Sequence, residues 1–184
     1  PLTMPLGRYR SRMSRLVLAN LVVGADGSTT RGGRSAGLSS PHDRQRFHSL
    51  RARAECILIG GNTARSEPYF STPLPLYVMT RGELPDEVES NSLATVLHMN
   101  VIEAISYLQE QSETGPILLE SGPAPLMIAL HRRLVDELFI TITRDVSGDL
   151  SGENRIDLPS MLKGYREISR EDVERDTFLA FVPE

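Results

Sequence analysis

The stretch Cys56-Ile57-Leu58-Ile59-Gly60-Gly61-Asn62-Thr63-Ala64-Arg65 decides the fold of this chain. A short apolar run ends at two glycines and gives way to a helical pattern, which predicts a buried strand joined to a helix by a tight turn. The pattern recurs where Pro116-Ile117-Leu118-Leu119 runs into Glu120-Ser121-Gly122-Pro123. In an open α/β sheet, ligands sit at the carboxyl ends of the strands. Glycine admits a ligand close to the backbone, and a helix N-terminus suits phosphate, so the two junctions predict a nucleotide or dinucleotide site.

Strand and helix patterns alternate along the rest of the chain. Ser40, Pro41 and Asp43 mark a helix start, because they suit the cap, the first helical position and the first turn. The predicted elements are a strand over 16–23, a helix from 41 to about 54, strands over 56–59, 76–80 and 95–99, a helix over 102–111, a strand over 117–119, a helix over 125–134, and strands over 137–143 and 177–182. We therefore expect an α/β fold with a mixed central sheet flanked by helices and with antiparallel C-terminal strands.

Length and composition narrow the class of protein. We expect an N-terminal arm over residues 1–15 and one domain over 16–184, an ordinary size for a single domain. The net charge of -4 argues against nucleic acid and anionic membranes as partners, and no apolar run is long enough to span a bilayer. The single Cys56 excludes an internal disulfide and fits a reducing, cytoplasmic compartment. The histidines lack metal-ligand spacing, so we expect no metal site.

Several stretches, in register, resemble the pyrimidine reductase family of bacterial riboflavin biosynthesis, which shares the dihydrofolate-reductase-like fold. The matching stretches are 19–27, 32–44, 50–52, 57–67, 118–123 and 134–138. The resemblance implies NADPH-dependent reduction of 5-amino-6-(5-phosphoribosylamino)uracil to its ribityl form, with hydride delivered to the first carbon of the opened ribose. It also implies a homodimer, for which the arm and the late strands are candidate interface elements.

The resemblance implies roles for individual residues as well. The cofactor-binding candidates are Gly60, Gly61, Asn62, Thr63, Glu120, Ser121, Gly122 and Pro123, with Ser121 in place of a family glycine. The substrate-binding candidates are Asn20, Asp26, Ser35, Gly37 and Arg51, of which Arg51 matches an arginine associated with the substrate phosphate. Arg34 is a further phosphate candidate. Glu67 is the catalytic candidate, because an acid beside the ribose can donate a proton or hold hydroxyl groups.

Each assignment competes with a structural interpretation, and two other functions stay open. Asp26 fits an Asp-Gly turn, Arg51 fits an exposed helix face, and the two junctions fit plain turns. The segment Glu67-Pro68-Tyr69-Phe70 lacks the family's leucine and arginine, which removes one expected phosphate contact. The first rival is therefore a paralogous NADPH reductase acting on a pterin or another small carbonyl or imine. The second is a nucleotide-binding module without catalysis.

Overall fold

The computed structural model describes residues 15–111, 115–149 and 155–184. Its strands are β1 (Val17–Gly24), β2 (Cys56–Gly60), β3 (Leu76–Met79), β4 (Ala94–Leu97), β5 (Ile117–Leu119), β6 (Glu137–Thr143), β7 (Tyr165–Val173) and β8 (Asp176–Pro183). Its helices are α1 (Pro41–Arg53), α2 (Gly61–Ser66), α3 (Asp86–Glu89), α4 (Val101–Gln109), α5 (Pro123–His131) and α6 (Leu158–Met161), with a 3-10 turn over Ser35–Gly37.

The strands form one eight-stranded mixed sheet in the order β4-β3-β2-β5-β1-β6-β8-β7. The six strands from β4 to β6 in this order are parallel, whereas β8 runs antiparallel to β6 and β7 antiparallel to β8. The α/β class, the mixed sheet and the antiparallel C-terminal strands are therefore confirmed. Because β2 and β5 are neighbours, their two glycine junctions meet at the same edge of the sheet.

Helices cover both faces of the sheet, as the alternation of side chains along β5 shows. Leu118 faces α1, where it packs with Leu50 and with Leu18 of β1. Ile117 and Leu119 face the other way, into a larger cluster that includes the buried side chains of α4 and α5. The start of α1 is capped, since the Ser40 hydroxyl accepts a hydrogen bond from the Asp43 N–H at 2.9 Å. Arg46 of the same helix donates to the carbonyls of Ile140 and Leu179 on the sheet.

The sequence patterns missed one strand and displaced several boundaries. Strand β7 was not predicted, because it lies at an edge of the sheet and its side chains are mostly exposed and charged; among the described residues it pairs only with β8. Helix α5 spans Pro123–His131 rather than 125–134, and Arg133 beyond its end has φ 54, which a helix cannot accommodate. The short helices α3 and α6 were not predicted either.

The predicted arm falls almost entirely outside the described residues. Arg15 is described, and it is buried: its Nε donates to the Gly115 carbonyl at 2.7 Å and one Nη donates to the Leu108 carbonyl at 3.2 Å. Arg15 therefore packs with the domain. In the parts of the chain that the structure describes, no helix combines the length and the apolar character needed to cross a membrane.

Candidate functional site

A cleft of about 1120 Å³ lies at the carboxyl ends of the parallel strands. It collects twelve of the fourteen residues assigned from the sequence. These are Asn20, Ser35, Arg51, Gly60, Gly61, Asn62, Thr63, Glu67, Glu120, Ser121, Gly122 and Pro123. Strand β1 contributes Asn20, α1 contributes Arg51, and the two glycine junctions contribute most of the rest. The chain therefore folds its candidate cofactor and substrate residues into one cavity.

Asp26 and Gly37 are not brought to the cleft wall. The Asp26 carboxylate accepts hydrogen bonds from the Ser28 hydroxyl at 2.6 Å and the Ser28 N–H at 3.1 Å, which shape a turn and lower the pKa of Asp26. Gly37 packs closely against its own loop, since a Cβ there would lie 2.3 Å from the Arg31 carbonyl oxygen. Arg34 also lies outside the cleft lining, on the exposed side of the same loop. None of these three residues lines the cleft.

The glycines of the two junctions serve different purposes. A Cβ on Gly61 would lie 2.6 Å from the Thr80 hydroxyl, so packing against β3 requires glycine there. A Cβ on Gly60 or Gly122 would meet nothing closer than 3.7 Å and 3.9 Å respectively. Both have negative φ, so neither packing nor backbone conformation demands glycine. What their missing side chains provide is open space against the backbone at the cleft wall.

Thr63 joins the two junctions directly. Its hydroxyl accepts a hydrogen bond from the Gly122 N–H at 3.2 Å, which ties the first turn of α2 to the start of α5. Pro123 and Pro125 have no N–H, so the start of α5 offers fewer donors than the sequence pattern predicts for a helix N-terminus. The Ser121 hydroxyl beside it is buried and has no hydrogen-bond partner among the described residues.

A buried ionic cluster forms the neighbouring wall. Glu120 follows β5, and its carboxylate accepts two hydrogen bonds from Arg51, with Nε at 2.8 Å from Oε1 and an Nη at 2.7 Å from Oε2. The Tyr69 hydroxyl donates to the same Oε2 at 2.7 Å. The Glu120 side chain is 3% exposed and that of Arg51 16%, so the ion pair is shielded from water. The guanidinium also lies 4.2 Å from the ring centre of Phe47 and 5.4 Å from that of Tyr69.

The protonation states in this cluster follow from burial and charge. Burial raises the pKa of the Tyr69 phenol, and the charge of Glu120 and its hydrogen bond raise it further. Tyr69 therefore stays a donor. Burial works to lower the pKa of Arg51, but the hydrogen bonds and charge of Glu120 outweigh burial and raise it. Arg51 thus stays a cation, and its bidentate geometry fixes the carboxylate in one orientation.

Glu67 and Asp149 fasten the loop that forms the opposite wall. Glu67 Oε1 accepts a hydrogen bond from the Ser35 N–H at 2.6 Å. Asp149 accepts from the Thr30 hydroxyl and from the N–H groups of Gly32 and Gly33, each at 2.9 Å. These bonds lower the pKa of Asp149, those from Gly33 and Gly32 most strongly. Two carboxylates therefore hold the loop over 29–39, hereafter the strap, against the cleft.

Sequence reasoning missed several residues that the structure places at the cleft. Tyr69 lies in the segment after Glu67, which drew attention only because it lacks the family's leucine and arginine. No sequence pattern indicates that the Tyr69 phenol contacts Glu120, 51 positions away. Arg44, His48 and Arg51 follow one another at spacings of four and three on α1, a spacing that does identify one helix face. Arg81 after β3 also lines the cleft. Among the described residues, no group of His, Cys, Asp and Glu side chains could hold a metal ion.

The chain matches a known family model, and its fold matches several solved structures. The family model described as the RibD C-terminal domain matches residues 15–177. Acinetobacter baumannii RibD superposes with a TM-score of 0.71 at 17% identity over 95% of this chain, which spans 59% of that protein. A pyrimidine reductase-like protein from Corynebacterium diphtheriae gives a TM-score of 0.68 at 18% identity, with 92% of each chain covered.

A third solved structure extends the likeness to another enzyme of the same fold. Dihydrofolate reductase from Enterococcus faecalis, complexed with NADP(H), gives a TM-score of 0.66 at 14% identity over 92% of this chain and 96% of its own. No curated protein matches the chain. The solved structures, all below 20% identity here, establish a shared dihydrofolate-reductase-like fold, while the family model covers most of the chain. This chain belongs to the RibD C-terminal domain family.

Proposed function

We propose that this protein is an NADPH-dependent reductase that converts 5-amino-6-(5-phosphoribosylamino)uracil to its ribityl form. The observation that carries the proposal is one cleft with two kinds of wall. On one side, Thr63 and Gly122 join two glycine junctions into an open backbone surface. On the other, Arg51, Glu120 and Tyr69 form a preorganised polar wall. The first suits a dinucleotide and the second a small polar substrate.

The backbone wall fits NADPH on structural grounds. Neither packing nor backbone conformation requires glycine at positions 60 and 122, so the open space beside them is available to a ligand. The buried Ser121 hydroxyl has no hydrogen-bond partner among the described residues, and a bound ligand would supply one. Gly60, Gly61, Asn62 and Thr63 would hold one part of the cofactor, and Ser121 to Pro123 another. Glu120, a cofactor candidate in the sequence, is assigned instead to the polar wall, because Arg51 holds its carboxylate there. When bound, NADPH supplies the hydride, and the protein's task is to position the reacting carbon and to exclude water.

The polar wall would recognise the substrate, and Glu67, bonded to the strap, would protonate it. Leu18 and Leu118 face α1, so Asn20 and Glu120, two residues further along adjacent strands, face the same way. Asn20 offers both a donor and an acceptor to a pyrimidine, and Glu120 Oε1 retains acceptor capacity beyond its bond from Arg51. Glu67 would donate the proton or hold ribose hydroxyls, steadied by its bond from the Ser35 N–H.

The assembly and location follow from the same proposal. We place the enzyme in the cytoplasm, a reducing compartment that suits a chain whose single cysteine, Cys56, can form no internal disulfide. We propose a homodimer in which the late strands take part, because β7 is an edge strand and no described residue pairs with its outer side.

Steady-state NADPH oxidation by the purified chain tests the proposal. We expect oxidation only when the ribosylaminouracil phosphate is present, with NADH a poorer donor. Glu67→Gln should lower kcat by about 100-fold if Glu67 acts as the acid. Oxidation without substrate dependence, or none at all, would overturn the assignment.

One observation favours a second candidate, a paralogous NADPH reductase acting on a pterin or another small carbonyl or imine. Arg51, which matches the family arginine associated with the substrate phosphate, forms an ion pair with Glu120. Tyr69, which bonds to the same carboxylate, lies in the segment that lacks the other expected arginine. A pterin or imine that drives NADPH oxidation faster than the pyrimidine would select this candidate.

A further inference from the structure

Within the described residues, three acidic side chains line the cleft, and the proposed reaction uses only two of them. Glu120 is paired with Arg51, and Glu67 accepts a hydrogen bond from the strap. The third, Asp43, lies in the first turn of α1 and is 5% exposed. The helix cap uses its backbone N–H, which donates to the Ser40 hydroxyl, and leaves the carboxylate available for another purpose.

The Asp43 carboxylate has few partners in the part of the chain that the structure describes. Its Oδ2 accepts one hydrogen bond, from the Ser39 hydroxyl at 2.5 Å, and none of the ion pairs includes it. Arg46 on the same helix directs its donors to the carbonyls of Ile140 and Leu179 instead. A carboxylate has about four acceptor positions, so Asp43 can accept further hydrogen bonds from a ligand in the cleft.

The surroundings of Asp43 suit a flat heterocycle. Phe47 follows four positions later on α1 and lines the same cleft, so the two side chains share one face of the helix. Leu21 of β1 and Ala36 of the strap add apolar surface, and the Asn20 amide offers donors to a carbonyl group. An aromatic ring, apolar walls and a few polar groups are the usual features of a site for a planar ring.

A carboxylate distinguishes pyrimidines by the group that they carry at C2. In a 2-amino-4-oxopyrimidine, the ring N3–H and the 2-amino N–H point the same way and match the two oxygens of a carboxylate, as the N–H groups of a guanidinium do. In a uracil, the N3–H lies between two carbonyl oxygens, whose lone pairs would face the carboxylate. Asp43 therefore favours an amino group over an oxo group at C2.

We propose that Asp43 binds the donor edge of a 2-amino-4-oxopyrimidine and so determines which pyrimidines the cleft accepts. The inference rests on the proposed function, whose substrate carries oxygen at C2, and adds a second substrate class to it. Two compounds share the required edge: the 2-amino counterpart of the ribosylaminouracil phosphate, and a dihydropterin. With either compound, an imine or aldehyde carbon receives hydride from NADPH, which becomes NADP⁺, and the nitrogen or oxygen receives a proton from Glu67.

Binding of isocytosine and uracil, which differ in the amino or oxo group at C2, tests the inference without any turnover. In NMR titrations of the unaltered protein, isocytosine should bind about tenfold more tightly than uracil. Asp43→Asn keeps the size of the side chain and should lose this preference, because its amide can donate to a carbonyl. The matched control is Asp145→Asn, whose side chain is 62% exposed and lies outside the cleft lining.

The control should retain the preference for isocytosine. Equal binding of the two compounds by the unaltered protein would overturn the inference, and this comparison needs no variant to fold. An unchanged preference in a folded Asp43→Asn protein would overturn it as well.

Turnover separates a failure of this inference from a failure of the proposed function. NADPH oxidation is measured with the ribosylaminouracil phosphate, its 2-amino counterpart and 7,8-dihydropterin. At least one amino compound should show a kcat/KM about tenfold above that of the uracil, and Asp43→Asn should lower that value about 100-fold while it still turns over the uracil. The faster amino compound identifies the source of the edge. Turnover of the uracil alone would overturn the inference and leave the proposed function standing, whereas turnover of the amino compounds alone would do the reverse.

Discussion

The two walls of the cleft are built from different parts of the chain. The wall assigned to the cofactor is mainly backbone: Gly60, Gly61 and Gly122, joined by the Thr63 hydroxyl, lie at the ends of two adjacent strands. The wall assigned to the substrate is side chains: Arg51, Tyr69 and Glu120 come from a helix, a loop and a strand end. The first wall is open because its glycines carry no side chains, whereas the second is fixed by hydrogen bonds among its own side chains. Substitution of Gly60 or Gly122 at the first wall should therefore affect binding alone, whereas substitutions at the second wall should affect both stability and binding.

The largest effect is expected at the ion pair. Arg51→Ala leaves the Glu120 carboxylate, 3% exposed, without its cation, which should cost about 3 kcal/mol of folding free energy. It should also lower kcat/KM roughly 100-fold, because the carboxylate loses its fixed position. Chemical denaturation and steady-state kinetics measure the two losses. Arg53→Ala, whose side chain is 47% exposed, is the matched control and should change stability by less than about 1 kcal/mol. Equal stability of Arg51→Ala and Arg53→Ala would contradict the buried cluster.

Alanine substitution of the glycines distinguishes a glycine that leaves room for a ligand from one that is required for packing. Gly122→Ala should fold with an unchanged Tm, because its Cβ meets nothing within 3.9 Å, but should weaken NADPH binding by about tenfold or more. Gly61→Ala places a Cβ 2.6 Å from the Thr80 hydroxyl and should lower the Tm. Calorimetric titration and thermal unfolding check the pair. If both variants bind NADPH as tightly as the parent, the backbone wall is not the cofactor site.

Tyr69→Phe removes one hydrogen bond and keeps the packing of the ring. Because the bond is to a buried carboxylate, the free energy of unfolding should fall by about 1–2 kcal/mol. Tyr107→Phe, at a ring 37% exposed on α4, is the control and should leave stability unchanged. Urea denaturation of the two variants measures the difference. A Tyr69→Phe protein as stable as the parent would show that Arg51 alone fixes Glu120.

The smallest effect is expected at the strap, and it depends on pH. The pKa of Asp149 lies below its ordinary value of 3.8 because the strap's N–H groups bind the carboxylate. The contribution of Asp149 is therefore present above that ordinary value and is lost as pH falls through the lowered pKa. Hydrogen exchange at the Gly32 and Gly33 amides should accelerate relative to other loop amides below about pH 4. Asp149→Asn should show faster exchange already at neutral pH. If neither the lower pH nor Asp149→Asn changes the exchange rates of these two amides, Asp149 does not hold the strap.

The same contrast explains what the sequence could predict. The backbone wall was predictable, because a single local pattern indicates it. An apolar run marks the strand, the glycines that follow mark the turn and the missing Cβ, and the helical pattern comes directly after them. Of the side-chain wall, Arg51 was predicted as a substrate residue and Glu120 as a cofactor residue, while Tyr69 was missed. Arg51 and Glu120 are 69 positions apart, and no local sequence pattern indicates that they pair. Strand β7 was not predicted for a related reason: an edge strand with exposed, charged side chains shows no alternation of apolar and polar residues.

Transfer of deuterium from labelled NADPH tests the central claim most directly. The cofactor carries deuterium at the reactive position of its nicotinamide, and the product is analysed by mass spectrometry and NMR after reaction with the ribosylaminouracil phosphate. The account predicts a ribityl product that carries one deuterium at its first carbon, with one NADPH consumed for each product formed. Product without deuterium, or NADPH consumed without any labelled product, would contradict it.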